Sequence, residues 1–445
     1  MNLFFVLLAL YVSVLLYVSW RISRQESEEG YLIADRDRPW WQVMASKYAA
    51  SVGAGWFVVY GGFSYEFGAP ISFVFLGAIV GVLLYAYWAT PRIRAVSAGC
   101  YTQGDYVFAC TKSVTAKDAM NIIVSAASLL TLLIAAVGAA TLFESFGVMS
   151  YELSVIFTVV VVLSYILLSG FKAVVFTDLV QGALLFILLG FVVWSMSQSS
   201  FASAETLLEV RNITPLGVAM ITLFGIVVAF SDPTRYQVTF AGESTQAVKK
   251  GMATTIIPLF LTAFAIYLIG STVYELDSGL ISSAVFPYAL ETFLPESLLG
   301  IGFLLFFVAL MSTADSVLYA LSTHTAHFFF KGDLQRYSVQ ITTVGYAMLV
   351  VLLSILFRDV VDIAVLAGAL VLVIAFPMFY IIGGGTNGIR FNLLLGGGIF
   401  GAAVGIAVFG LEPDAGAFVV VGNLIATVIP VRWFSKEVAK TDSVV

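Results

Sequence analysis

Residues 50–56 read Ala-Ser-Val-Gly-Ala-Gly-Trp and lie in the middle of an apolar run that extends from residue 40 to residue 65. Two glycines that flank one small residue make a regular helix easy to interrupt. An interruption inside a membrane frees backbone carbonyls that can coordinate a cation. Taken alone, the same glycines would serve close packing between helices equally well. The interpretation of this stretch therefore depends on the rest of the chain.

The composition of the whole chain is far more apolar than that of a soluble protein. Of its 445 residues, 60% are hydrophobic and 11% are charged, whereas a soluble domain averages about 45–50% apolar and about 25% charged residues. The formal net charge of −6 leaves no basic surface for nucleic acid. The composition predicts an all-α protein that crosses the lipid bilayer many times as one membrane domain, residues 1–445, and it excludes a nucleic-acid partner.

Apolar runs separated by polar breaks predict about thirteen membrane-spanning segments, because each crossing needs about 20 apolar residues. The segments fall at 2–20, 40–65, 70–90, 118–143, 152–169, 173–197, 213–231, 252–274, 297–329, 338–357, 360–383, 389–410 and 415–433.

The distribution of Lys and Arg predicts the orientation, because cytoplasmic loops carry the excess of these residues. With the N-terminus outside, every Lys and Arg falls on the cytoplasmic side except Arg211 and Arg358. This assignment counts Lys47 and Arg235 among the cytoplasmic loop residues. We therefore expect a multi-pass protein of the plasma (inner) membrane with its N-terminus outside and its C-terminus in the cytoplasm.

A second interruption is predicted at the end of the seventh segment, where residues 231–235 read Ser-Asp-Pro-Thr-Arg. Proline removes a backbone hydrogen bond and a charge follows at once, although a helix that simply leaves the membrane would look similar. If the extra first segment (2–20) is set aside, residues 40–197 and 213–383 form two five-helix halves, and an interrupted helix leads each half. Because five is odd, the two halves have opposite orientations. This is the inverted-repeat layout of a secondary transporter, followed by two extra helices in 389–433.

The ninth segment contains the stretch Ala-Leu-Met-Ser-Thr-Ala-Asp-Ser at residues 309–316. The hydroxyls of Ser312 and Thr313 are hard oxygen ligands of the kind that a small cation requires. A Ser or Thr in a membrane helix often bonds the carbonyl four residues before it instead. Asp315 is harder to explain in that way, because a carboxylate inside a membrane is costly and usually marks an ion or substrate path. No catalytic set is recognisable in the sequence, so we do not expect an enzyme.

Residues 169–181 read Ser-Gly-Phe-Lys-Ala-Val-Val-Phe-Thr-Asp-Leu-Val-Gln. This stretch resembles the Gly-Gly-x-x-Ala-x-x-x-Thr-Asp-x-x-Gln signature of the sodium/solute symporter family, with Ser169 in place of the first glycine. Val238 stands where the family usually has Arg. Further similarities lie at Gln237, Phe240–Ala241, Lys250–Gly251 and in the block 311–313. The resemblance covers almost the whole chain and implies a ten-helix inverted repeat, with Na+ as the coupling ion of a symporter that works by alternating access.

The resemblance also implies the residues of a sodium site. Carried over by position, the ligands are the carbonyls of Ala50, Gly53 and Ala309 and the hydroxyls of Ser312 and Thr313.

Some family members bind a second sodium ion, and the resemblance places that cation site or exit path at Asp178, Asp315 and Ser316. Asp178 matches the family's Asp near the inner sodium exit. Asp315 stands where those members tend to have Ser, so this second site is expected to be altered or linked to a proton.

The identity of the solute is predicted only by class. The second segment offers few polar side chains, and the eleventh offers none between residues 364 and 379. A sugar needs many side-chain hydrogen bonds, because unpaired buried polar groups are costly. We therefore expect a small organic solute such as a proline-like amino acid or a monocarboxylate, in a pocket formed by Ser51, Trp56, Phe57, Tyr60, Gly225 and Phe230. The alternatives are a symporter for sugar or another solute, and a transporter-like sensor that acts through a separate partner.

Overall fold

The computed structural model describes residues 2–53, 55–199, 201–330 and 334–431. Within these ranges the chain is helical and forms no strand. We label its α-helices in chain order as α1 (Asn2–Ser23), α2 (Glu28–Ile33), α3 (Trp40–Val52), α4 (Gly61–Phe67), α5 (Ile71–Leu84), α6 (Thr90–Val96), α7 (Gln103–Thr111), α8 (Val114–Ser145), α9 (Tyr151–Ser197), α10 (Ala204–Leu208), α11 (Pro215–Ser231), α12 (Pro233–Ala241), α13 (Thr245–Thr254), α14 (Ile256–Leu276), α15 (Val285–Phe293), α16 (Glu296–Phe329), α17 (Arg336–Leu356), α18 (Val360–Ile382), α19 (Gly388–Phe409) and α20 (Gly416–Val428).

Ten helices in the described part of the chain are long and apolar enough to cross a membrane. They confirm the predicted all-α, multi-pass architecture. The exact number of thirteen crossings stays a prediction, because four predicted segments have a different form here. The second is divided into α3, the π-helical turn Gly55–Tyr60 and α4, the fifth and sixth run together in α9, and the last corresponds to the short helical stretch Pro413–Val428. Lys331 and residues 432–440, which contribute to the predicted orientation, lie outside the described residues.

The helix α9 is 47 residues long and contains one break, at Ser169 and Gly170. Gly170 has φ +49°, a left-handed value that favours glycine. A Cβ atom on Gly170 would lie 2.5 Å from the carbonyl oxygen of Tyr31. The break coincides with the boundary predicted between the fifth and sixth segments and directs the second part of α9, which carries Asp178, toward α16.

The helix α16 passes through the centre of the protein. Its residues from Gly302 to Ala326 are buried on all sides, with Leu305 as the exception. A helix in such a position has protein on every side and no face in contact with lipid or water. It packs against α3, α8 and α9. The polar stretch at residues 309–316 is therefore enclosed by protein rather than exposed to lipid.

Candidate cation site and solute cavity

The first interruption lies where α3 ends. The helix stops at Val52, and Gly53 leaves the helical conformation with φ −62° and ψ −127°. The chain continues as the π-helical turn Gly55–Tyr60. The carbonyl of Gly53 accepts hydrogen bonds from the backbone N–H groups of Trp56 (3.2 Å) and Phe57 (3.1 Å). Ala50 lies in the last turn of α3, where helix carbonyls lack partners within the helix.

Gly53 lies directly against α16. A Cβ atom on Gly53 would overlap the Oγ1 atom of Thr313 and would lie 2.5 Å from the carbonyl oxygen of Ala309. Ala309, Ser312 and Thr313 are all buried. The structure thus brings the backbone of the interrupted helix together with a carbonyl and a hydroxyl of the central helix, and only glycine fits at this contact.

Ser312 connects this contact to Asp178 on α9. The Oγ atom of Ser312 donates to Asp178 Oδ1 at 3.0 Å, and Ser46 on α3 donates to Oδ2 at 2.6 Å. Ser316 donates to the same carboxylate at 3.4–3.5 Å. Three hydroxyls from two helices therefore converge on one completely buried carboxylate. Ser46 was not predicted from the sequence, although it lies one helical turn before Ala50.

Asp315 belongs to a separate set of contacts. Its Oδ2 atom accepts hydrogen bonds from Tyr165 Oη (2.6 Å) and Thr177 Oγ1 (3.3 Å), and its Oδ1 atom accepts one from the backbone N–H of Ser316 (2.5 Å). All of these donors are uncharged. The structure therefore places Asp315 beside Asp178 and Ser316 in the protein interior but surrounds it with different partners.

A cavity of about 250 Å³ borders the first interruption. Ala50 and Ser51 line one side, and Trp56 and Tyr60 lie beside them. The Trp56 ring stacks on Phe75, with the ring centroids 5.2 Å apart. The cavity lining is largely apolar and comes mainly from the first interrupted helix, α5, α8, α11, α18 and the turn before α20, with further residues from α12, α14, α16 and α19.

Three residues predicted for the solute pocket lie elsewhere. The Phe57 ring packs against Phe286, with a centroid distance of 4.6 Å. Gly225 lies in the contact between α5 and α11, where a Cβ atom would overlap the carbonyl oxygen of Val74. Phe230 is completely buried among other aromatic rings. None of the three lines the cavity. Which side of an apolar helix faces a cavity depends on its packing against other helices, and the sequence of one segment does not specify that packing.

The second interruption separates α11 from α12 at Asp232. The Asp232 carboxylate accepts hydrogen bonds from the backbone N–H (3.0 Å) and the hydroxyl (2.7 Å) of Thr234. It also forms an ion pair with Lys47 of α3, and Lys47 donates to Thr234 Oγ1 at 2.8 Å. Lys47 is 1% exposed and Arg235 is 4% exposed. Asp232, Thr234 and Arg235 all line the cavity.

The assignment of Lys47 and Arg235 to cytoplasmic loops is therefore corrected, since both are buried in the protein. The spacing in the sequence could have indicated the burial of Lys47. Lys47 lies three residues before Ala50 and four before Ser51, and such spacing places side chains on one face of a helix.

The sequence model of the Sodium:solute symporter family matches residues 31–380. The chain belongs to this family. The match includes both interruptions, the signature at residues 169–181 and the polar stretch at 309–316, and it confirms the resemblance found from these motifs. The family is one of secondary transporters rather than of enzymes.

A relative of the chain is the sodium/glucose cotransporter of Vibrio parahaemolyticus, which is 32% identical over 105 residues. That match spans 22% of this chain and 19% of the relative. The fold is similar to that of a Na+-coupled sialic acid symporter in a substrate-bound outward-open state, with a TM-score of 0.75 and 16% identity over 96% of this chain and 98% of the other. It is also similar to the nucleobase-cation-symport-1 family transporter Mhp1 in a closed conformation, with a TM-score of 0.62 and 14% identity over 92% and 95% of the two chains.

Proposed function

We propose that the protein is a sodium-coupled symporter that imports a small, partly apolar organic solute by alternating access. The observation that carries this proposal is the position of Gly53. It packs against Ala309 and Thr313 of the central helix, and Ala50 and Ser51, in the turn before it, line an apolar cavity. An ion held at this contact lies close enough to the cavity for its binding to influence that of a solute.

The proposed sodium ligands are the carbonyls of Ala50, Gly53 and Ala309 and the hydroxyls of Ser312 and Thr313. Carbonyl and hydroxyl oxygens are hard donors that suit an alkali cation. A single charge on the ion needs no carboxylate in its own shell, and Asp178 supplies negative charge through its hydrogen bond with Ser312. Sodium bound here holds α3 against α16, and we propose that it thereby favours the outward-open form.

Asp178, Asp315 and Ser316 form the proposed second cation site or exit path. The serine hydroxyls around Asp178 can rotate to present oxygens to a passing ion, and Ser312 belongs to both sites. We propose that Asp178 helps to release sodium, and that Asp315 either joins a second cation site with Ser316 or carries a proton.

The proposed solute is a proline-like amino acid or a monocarboxylate. The cavity of about 250 Å³ is larger than the ~150 Å³ that hold benzene in an engineered protein, and its lining favours an apolar body. Sugar transport is the second candidate, because a relative is named a sodium/glucose cotransporter. The largely apolar lining argues against it, since each buried sugar hydroxyl needs a partner.

The driving force follows from the charge that crosses with the solute. One sodium ion moving through 100 mV releases about 2.3 kcal/mol, and a tenfold sodium gradient adds about 1.4 kcal/mol. Together they support roughly 500-fold accumulation of a neutral solute. We propose that the protein lies in the plasma (inner) membrane with its N-terminus outside, so that this force drives uptake.

Uptake into proteoliposomes tests the proposal. Purified protein is reconstituted, and the accumulation of radiolabelled proline, short monocarboxylates and glucose is measured with an inward sodium gradient. The control replaces sodium with choline at equal ionic strength. We expect concentrative uptake only with sodium. Uptake that merely equilibrates would indicate a channel, and sodium-dependent binding without turnover would indicate a sensor.

A further inference from the structure

The cavity has a charged inner end that the sodium site does not use. It is formed where α11 gives way to α12, and Asp232, Thr234 and Arg235 line it. The remaining walls consist mostly of apolar side chains. An occupant of this cavity therefore contacts charge at one end and hydrocarbon along the rest of its length.

Lys47 already balances the negative charge at this end. Its ammonium group pairs with Asp232 and donates to Thr234 Oγ1 at 2.8 Å. The second carboxylate oxygen of Asp232 accepts hydrogen bonds from the hydroxyl and the backbone N–H of Thr234. The carboxylate therefore has little capacity left for a positively charged ligand.

Arg235 lacks an equivalent partner. Its Nε atom is buried and has no hydrogen-bond partner among the described residues, and it lies 4.0 Å from the nearest oxygen of Asp232. Its Nη1 atom contacts the sulfur of Met252 at 3.8 Å, and the guanidinium carbon lies 5.5 Å from the centroid of the Tyr85 ring. A thioether and an aromatic ring compensate poorly for the lost hydration of a buried guanidinium group.

The electrostatics at this end favour an anion. Lys47 and Asp232 cancel each other, which leaves the charge of Arg235, and α12 begins here with the positive end of its dipole. Glu412, the other acidic residue of the lining, lies in the turn before α20. A sodium ion at Gly53 would add a second positive charge next to the cavity.

We propose that the inner end of the cavity binds the carboxylate group of a small monocarboxylate, with Arg235 as its ion-pairing partner and Thr234 beside it. The apolar tail of the solute lies against Trp56, Tyr60 and Phe224. Guanidinium is suited to this role because its planar donors match the two oxygens of a carboxylate. This inference rests on the proposed function and selects one of the two solute classes named there. Among the described residues, Asp232 is the acidic side chain at this end of the cavity, and its pairing with Lys47 leaves it unable to receive the ammonium group of an amino acid.

Binding to the detergent-solubilised full-length protein tests this assignment without requiring transport. The probes are butyrate, hexanoate and phenylacetate, each compared with its own amide, together with L-proline and L-phenylalanine. Affinity is measured by quenching of tryptophan fluorescence and by the shift in thermal stability, in sodium chloride and in choline chloride. We expect at least one carboxylate to bind in sodium, and its amide and the two amino acids to bind at least tenfold more weakly.

Two variants assign the effect to Arg235. R235Q should weaken carboxylate binding about 10- to 100-fold, as expected for loss of a buried charge-assisted hydrogen bond, while R235K should retain part of the affinity. R92Q is the matched control, because Arg92 is an exposed arginine of α6 that does not line the cavity. Stabilisation of R235Q by sodium alone shows that the variant is folded and its cation site intact.

The outcomes separate this inference from the proposed function. Equal binding of acids and amides, tighter binding of the amino acids, or unchanged carboxylate affinity in R235Q would each overturn the carboxylate assignment while leaving sodium coupling in place. Absence of any sodium effect on the wild-type protein would instead contradict the proposed function.

Discussion

The two interrupted helices have the same role in the architecture but different chemistry. At Gly53 the break lies among neutral oxygens, with the Ala309 carbonyl and the Thr313 hydroxyl next to it. At Asp232 the break lies among charges, with Lys47 paired to the carboxylate and Arg235 nearby. Residues that flank the first break (Ala50, Ser51 and Trp56) and Asp232 at the second line one cavity. An interrupted helix exposes backbone groups next to a cavity, whereas the side chains around the break decide which ion fits there.

The largest effect is expected for Gly53→Ala, which places a methyl group on Thr313 Oγ1 and the Ala309 carbonyl. The contact between α3 and α16 cannot form in its present shape, so we expect sodium-dependent uptake to fall to the background level. The matched control is Gly61→Ala, because a Cβ atom at Gly61 meets nothing within 4 Å. Normal sodium-dependent uptake by the Gly53 variant would mean that the neutral break is not a cation site.

The charged break is tested by Asp232→Asn, which leaves the buried Lys47 without its carboxylate. Removal of one partner of a buried pair costs about 3–5 kcal/mol, so we expect a lower melting temperature in detergent and a lower yield of folded protein. The double variant K47M/D232N should be more stable than the sum of the two single changes predicts. Strict additivity would show that the pair does not couple the two interrupted helices.

Ser312→Ala and Thr313→Ala each remove one proposed oxygen ligand of the sodium ion at the Gly53 break. A neutral ligand contributes about 1 kcal/mol, so the sodium concentration for half-maximal uptake should rise about five- to tenfold. The measurement is uptake against sodium concentration at saturating solute. An unchanged sodium dependence in both variants would remove these hydroxyls from the site.

Trp56→Ala tests the role of the cavity wall in solute binding. Trp56 lines the cavity, so its loss should weaken solute binding by about tenfold without changing sodium binding measured in the absence of solute. Phe57→Ala is the comparison, because Phe57 is directed toward Phe286 instead; it should lower stability more than solute affinity. The reverse pattern would support the pocket predicted from the sequence over the cavity in the structure.

Asp315→Asn is expected to have the smallest effect on expression and folding, because asparagine retains the shape and its amide oxygen can still accept hydrogen bonds from Tyr165 and Thr177. The hydrogen bond from the backbone N–H of Ser316 is lost. If Asp315 carries a cation or a proton, the variant should differ from the wild-type protein in the pH dependence of uptake or in the ratio of sodium to solute transported. Both are measured in proteoliposomes, the ratio from the membrane potential at which net flux stops. If neither changes, Asp315 has a structural role.

Much of the fold could be predicted because the relevant signals are local. Apolar runs define the membrane helices, and the break at Gly170 was placed by the boundary between two predicted segments. Glycines at 53 and 55 and the Asp-Pro pair at 232–233 mark the two interruptions, because glycine readily leaves the helical conformation and proline lacks a backbone N–H. The exact number of crossings is harder to predict, since short and fused helices depend on how neighbours pack.

Composition and spacing along single segments predict the membrane class, the interrupted helices and the oxygen-bearing residues of α16. The packing of the helices against one another decides which side chains meet. It paired Lys47 with Asp232, 185 residues further along the chain, and it directed Phe57, Gly225 and Phe230 away from the cavity. The physical reason is that contacts with other helices place a buried charge or a buried ring, and nothing within a single segment specifies those contacts.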